Sequence, residues 1–221
     1  MDMKQAMRER HVVRKYLDTP LDGHIVEQLN QRVAEDNAAY GTDIRLVVDG
    51  APVLNAIVAL IAAKNVNNYF IVCAQDSPGV DEQLGRCSAD LMLYAQTLGL
   101  NTWWVGGTFN RKAVERQVEP DRRVFGVVVV GYGKTQGQAH TSKRPDEVAS
   151  YEGDAPEWFT AGVVAALLAP TARNKQAFRI AGSGRAVSFS CDNGLFSGVD
   201  AGLVKHHFEL GAGIDNFEWA S

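Results

Sequence analysis

The chain is poor in the features that would commit it to a membrane, a disulfide scaffold or a nucleic acid. No uncharged apolar run reaches the ~20 residues that a membrane-spanning helix needs, and the opening M-D-M-K-Q-A-M-R-E-R has no apolar signal core. Cysteine is scarce: the three residues Cys73, Cys87 and Cys191 are odd in number, far apart and without a C-x-x-C pair. That pattern fits a reducing compartment better than a disulfide framework and reads as small buried hydrophobes, so a cytoplasmic location is expected. Long blocks of one charge are missing as well. The net charge of −4 is spread along the chain, which removes the electrostatic case for nucleic acid or a charged membrane surface and leaves a small molecule as the expected partner. Hydrophobic residues make up 46% of 221, enough for a packed core without staples.

The periodicities predict a mixed α+β chain. Thr19-Pro20-Leu21-Asp22 marks a helix start, after which Ile25, Val26, Leu29 and Val33 fall on one face. D-I-R-L-V-V, bounded by Asp49-Gly50, reads as a strand, and Y-F-I-V-C-A over 69–74 as a central one. Residues 52–63, P-V-L-N-A-I-V-A-L-I-A-A, carry no charge, so a helix there is expected to be buried. Leu84, Leu91, Leu93, Ala95 and Leu98 mark a long helix ended by Gly99, followed by a strand over 101–105 that opens into Gly106-Gly107. A short charged helix over 111–118 precedes the strand V-F-G-V-V-V-V over 124–130.

Chemistry concentrates in A-P-T-A-R-N-K-Q-A-F-R-I, residues 169–180. Pro170 ends an apolar helical run, and Thr171, Asn174 and Gln176 then give a loop whose hydroxyl and amides are expected to point at a ligand. The stretch resembles the A-P-S-x-x-N-x-Q-P-W signature of nitroreductase-like flavoproteins. R-H-V-V-R-K-Y over 10–16 resembles the basic element that opens those proteins, and the long helix, Leu-Gly-Leu, tryptophan strand and Gly-Gly turn resemble their central helix. Lys143-Arg144-Pro145 is similar to their second basic element. Val12 stands where the family has serine, and Ala177-Phe178 where it has Pro-Trp.

The resemblance implies a nitroreductase-like α+β fold of mostly antiparallel sheets packed with helices, and FMN as cofactor. Arg10, His11, Lys143 and Arg144 would hold the flavin phosphate, and Arg14 the pyrimidine edge of the ring. The backbone of Val105, Gly106 and Gly107 would approach N5, and Pro170, Thr171, Asn174 and Gln176 would line the ring. It further implies hydride transfer from NAD(P)H to a nitroaromatic, quinone or similar acceptor by ping-pong kinetics, with no obligatory protein acid or base. His206 and His207 are adjacent on a helix and point apart, so no metal site is expected.

A further expectation concerns architecture. A-D-L-M-L-Y-A-Q-T-L-G-L over 89–100 aligns with A-G-L-V-K-H-H-F-E-L-G-A over 201–212, and the segments 23–48 and 158–180 share a helix, loop, strand order. Family members are normally homodimers that build each site from both subunits. Here the basic motif and the A-P-T loop lie in one chain, which suggests a fused pseudo-dimer: residues 1–145 as a first half and 146–221 as a shortened second half, with one flavin between them and monomeric in solution or dimerising further. Two rivals compete. V-G-Y-G-K-T-Q-G over 130–137 suggests a phosphate loop but fails the G-x-x-x-x-G-K-[ST] spacing. The other is a protein of the same fold that binds flavin or another ligand without turnover, a reading that Val12 and Ala177-Phe178 keep open.

Overall fold

The computed structural model describes residues 1–220. Helix α1 (Met3–Glu9) starts on Asp2, whose carboxylate accepts from the Gln5 N–H. An extended segment then leads to α2 (Gly23–Tyr40), capped at its start by Asp22 and at its end by Gly41 in the left-handed conformation. The first sheet follows: β1 (Arg45–Val47), the short α3 (Ala56–Ile61), β2 (Tyr69–Gln75), the long α4 (Val80–Thr97), β3 (Asn101–Val105), α5 (Arg111–Glu115) and β4 (Arg122–Gly131). Its order is β1-β2-β4-β3 with every neighbour antiparallel, and β2 and β4 are buried along nearly their whole length.

The remainder of the chain builds a second sheet. After α6 (Pro145–Val148) come β5 (Ala149–Tyr151), α7 (Glu157–Ala166), a 3₁₀ turn at Ala172–Asn174, β6 (Phe178–Ser183), β7 (Ala186–Cys191), α8 (Ser197–Ala212) and β8 (Glu218–Trp219). The order is β5-β6-β7-β8, with β6-β7 antiparallel and the two outer pairs parallel. β6 alternates buried and exposed residues, so one face is covered and the other meets solvent. The main core joins both sheets through the helices, with Phe70, Leu84 and Leu91 of the first part packed among Phe159, Ile180, Leu203 and Phe208 of the second.

Helices α4 and α8 cross at glycine. A Cβ on Gly85 would lie 2.9 Å from the Gly202 Cα, and one on Gly202 would lie 2.8 Å from the Gly85 Cα; each would also strike a backbone carbonyl, of Val199 and Glu82 respectively. Only glycine at both positions allows this approach. Ion pairs brace the crossing: Arg86 Nη1 donates to both Glu209 oxygens at 2.7 Å, and Lys205 Nζ reaches Glu82 at 2.8 Å.

One expectation is corrected. The uncharged stretch 52–63 is not a buried helix: only Ala56–Ile61 is helical, and Ile57, Leu60 and Ile61 are exposed at 71%, 85% and 74%. Burial is confined to its flanks, Val53, Leu54 and Ala63, which pack beneath the first sheet. An apolar composition signals that burial is favourable, but whether a partner surface stands opposite is a property of the tertiary fold.

Candidate cofactor site

The basic motif begins where α1 ends. Arg10 is the C-terminal cap, its N–H bonded to the Ala6 carbonyl, and beyond it the chain runs extended beside β3, with Val12 bridged to Thr102 and Val13 N–H donating to the Thr102 carbonyl. This docking turns Arg10 inward to 3% exposure, together with Val13 and Tyr16. The guanidinium meets no acceptor among the described residues, and its Nε and Nη1 are buried without a partner. Burial pulls its pKa from 12.5 down to about 10, with a smaller opposing electrostatic influence from Tyr16. Its charged or chargeable neighbours include His207 and His11, whose own protonation it disfavours. A buried guanidinium without an acceptor is costly, and an anion is what that environment lacks.

The loop after β4 then crosses the motif. Gly137, with φ +75°, is placed so that a Cβ would come within 2.8 Å of the His11 Cβ and 2.9 Å of the Val12 carbonyl, so glycine is required there twice over. Further along, His140 Nε2 and Ser142 Oγ both bond the Leu167 carbonyl at the end of α7, at 2.9 and 3.2 Å. Lys143 arrives at the 170–177 loop, its N–H donating to Gln176 Oε1 at 2.7 Å and its Nζ to the Gln176 carbonyl at 2.8 Å. The 137–143 segment therefore runs from the Arg10-His11 motif, which Gly137 crosses, to the A-P-T loop, which Lys143 bonds. Arg144 bonds neither: it caps α6, is exposed, and pairs with Asp146 at 3.1 Å.

The loop's polar side chains are turned on the 141–143 segment and on the loop itself. Asn174 Nδ2 donates to the Thr141 carbonyl at 2.8 Å, Gln176 Nε2 to Asn174 Oδ1 at 3.2 Å, and the Gln176 N–H to Thr171 Oγ1 at 3.0 Å. Gln176 is 1% exposed, whereas Pro170 and Thr171 are half-buried and reach the surface. The amides expected to face a ligand thus spend most of their hydrogen bonds tying 170–177 to 141–143. A small cavity of about 30 Å³ lies beneath, lined by Thr171, Phe178, Phe189, Ser197 and Asp200.

The Gly-Gly turn is reached from β3. Val105 is the last paired residue, opposite Val127, and the N–H groups of Gly106 and Gly107 make no backbone hydrogen bond among the described residues. Gly106 lies under the rings of Trp104 and Phe196, so that a Cβ would collide with them, while Gly107 is open. Arg14 is exposed, with its guanidinium 5.3 Å from the Trp103 ring centre. Sequence reasoning missed Asp200, whose carboxylate accepts from the Ala172 N–H at 3.0 and 3.1 Å, as well as Phe196, His140 and Gly137. None of these carries a local motif; an acidic residue in a first helical turn is too common to single out.

His206 and His207 are both buried, and burial lowers the pKa of each, to about 3 for His207. Among the described residues no group of three or more histidines, cysteines or carboxylates is arranged to hold a metal, and no helix is long and apolar enough to cross a membrane. A cavity of about 480 Å³ forms an open groove on the solvent face of the second sheet, by Ser150, Ala181, Ser183 and Ser188.

Two sheets packed on a pair of glycine-crossed helices, with a buried arginine beside them, define an α+β protein. The family model described as "Putative TM nitroreductase" matches residues 2–212, and the chain belongs to that family. Among solved structures it is similar to a putative nitroreductase from Thermotoga maritima, at TM-score 0.69 and 19% identity over 96% of this chain and 83% of the other. A putative nitroreductase from Desulfovibrio desulfuricans in complex with FMN matches at TM-score 0.54 and 14% identity, over 71% of this chain and 98% of its own. A Bacteroides thetaiotaomicron protein described as NADH dehydrogenase/NAD(P)H nitroreductase matches at TM-score 0.54 and 18% identity, over 66% and 95%. At these identities the likenesses establish the fold. A search of curated proteins finds no match.

Proposed function

We propose that this chain is a cytoplasmic FMN-dependent oxidoreductase of nitroreductase type, with NAD(P)H as hydride donor and a small nitroaromatic or quinone-like acceptor in a ping-pong cycle. The observation that carries the reading is Arg10, 3% exposed, whose guanidinium Nε and Nη1 are buried without a partner among the described residues, at the motif position where the family binds phosphate. FMN in the Desulfovibrio relative and the NAD(P)H description of the Bacteroides one support the choice of cofactor and donor. Bound FMN supplies the ring position that accepts and releases hydride.

The residues divide the remaining work. Arg10 neutralises the phosphate, helped by His11 and by Lys143, whose ammonium keeps donors beyond its bond to Gln176. Arg14, held on Trp103, would offer positive charge to the pyrimidine edge of a bound ring. The N–H groups of Gly106 and Gly107, without a backbone hydrogen bond among the described residues, would be available to the ring edge, and Pro170 with Thr171 would supply a wall. Arg144 contributes only background charge.

The two sheets are read as the fused halves of a dimer, with one cofactor between them. The order helix, strand, strand, long helix, strand occurs in the second part, and in the first with the short α3 inserted between the two strands. The contacts at the α4–α8 crossing are reciprocal, with Glu82, Gly85 and Arg86 answering to Val199, Gly202 and Leu203. That pairing differs in register from the one in which Ala89 aligns with Ala201, because helix alignment follows apolar spacing whereas the crossing is set by glycine.

A second reading, ligand binding without turnover, is favoured by the inward use of Asn174 and Gln176. The visible spectrum of the purified protein, with released chromophore quantified per chain and molecular mass in solution, tests the first: one FMN per monomeric chain is expected. A colourless protein that FMN cannot reconstitute refutes it, and bound FMN without NAD(P)H oxidation in the presence of a quinone or nitroarene selects the second.

A further inference from the structure

The 170–177 loop has a backbone that needs to be held. Arg173, Asn174 and Gln176 have φ of +55°, +53° and +47°, a region that side chains other than glycine leave unless contacts restrain them. Most restraints come from the neighbouring 141–143 segment or from the loop itself. Asp200, in the first turn of α8, adds a restraint from another element: both carboxylate oxygens lie 3.0–3.1 Å from the Ala172 N–H. Four residues earlier, Phe196 meets Trp104 edge-on with ring centres 5.6 Å apart, and its ring covers Gly106. The start of α8 therefore touches both pieces of the candidate site. The helix is itself anchored on α4 through Arg86–Glu209 and Lys205–Glu82.

We propose that the first turn of α8 is the bracket that sets the position of the A-P-T loop relative to the Gly106-Gly107 turn, with Asp200 and Phe196 as its positioning residues. The functional meaning rests on the flavin reading; the bracket itself is a property of the protein without cofactor. Asp200 acts through Ala172, whose N–H it accepts, and Phe196 acts through Gly106. Neither requires a charge on the ligand.

Limited trypsin digestion of the cofactor-free protein tests this, because Arg173 and Lys175 are exposed within the loop. Asp200→Ala is expected to raise cleavage after these two residues by about tenfold, the effect of losing one charge-assisted hydrogen bond. Asp200→Asn, whose Oδ1 still accepts from Ala172, is expected to stay within about twofold of the parent. FMN affinity should fall in Asp200→Ala and Phe196→Ala and be kept in Asp200→Asn. Equal cleavage of the parent and Asp200→Ala at unchanged melting temperature overturns the bracket. Should Asp200→Ala not fold, hydrogen exchange at the Ala172 amide of the parent decides, since exchange at the rate of a free loop is the overturning result. A parent protein that binds no FMN removes the flavin reading, while the digestion still judges the bracket.

Discussion

Replacing Arg10 by Met should make the cofactor-free protein more stable and the cofactor-bound protein unattainable. Methionine keeps the apolar stem and removes the charge. Because burial depresses the folded-state pKa of this base, the guanidinium stays charged in the fold below about pH 10 and there costs folding stability relative to the unfolded chain. The fall from 12.5 to about 10 corresponds to about 3 kcal/mol at neutral pH. Part of that is lost to imperfect repacking, which leaves a gain of about 1–2 kcal/mol, worth about 2–4 °C in melting temperature per kcal/mol for a chain of this size. The assay is thermal unfolding in phosphate-free chloride buffer, repeated with FMN or inorganic phosphate. The parent should gain about 2.7 kcal/mol at a ligand concentration of 100 Kd, and Arg10→Met should gain little. A variant that loses stability without anion, and that FMN still stabilises as strongly as the parent, refutes the claim that the guanidinium lacks a partner.

Asp36 is buried beside Asp90, which already holds Arg32 by two 2.6 Å bonds, and burial with the Asp90 charge pushes the Asp36 pKa well above the usual carboxylate range. A raised folded pKa in an acid means that ionisation costs stability as pH rises from that range, so Asp36→Asn should raise the melting temperature at pH 7 to 8 and lose its advantage near pH 4. Gly85→Ala or Gly202→Ala places a methyl against the backbone of the facing helix, and should lower unfolding free energy in a urea titration by about 2–3 kcal/mol or more. Leu60→Lys, on the exposed α3, should change it by less than about 0.5 kcal/mol, and a loss of several kcal/mol would show that face to be covered.

What the sequence determined by itself is local. The strand expected over 101–105 is β3, Gly99 stands left-handed just past α4, and Asp22 caps α2, because side-chain alternation, helix periodicity and capping act within a few residues. The basic opening motif and the A-P-T loop were legible for the same reason, as short runs of unusual residues. What only the tertiary structure decided is which groups face which. Arg10 reads as one of several charges near a helix end, yet the docking of residues 12–13 on β3 buries it. Asn174 and Gln176 read as ligand-facing amides, yet the 141–143 segment captures them; Arg144 reads like Lys143, yet Asp146 takes it. The apolar stretch at 52–63 reads as core, yet Ile57, Leu60 and Ile61 of its helix are exposed, and the parallel outer pairs of the second sheet join strands far apart in the chain. In each case the deciding contact joins segments whose pairing no local pattern encodes, because burial is a property of the surface that arrives opposite.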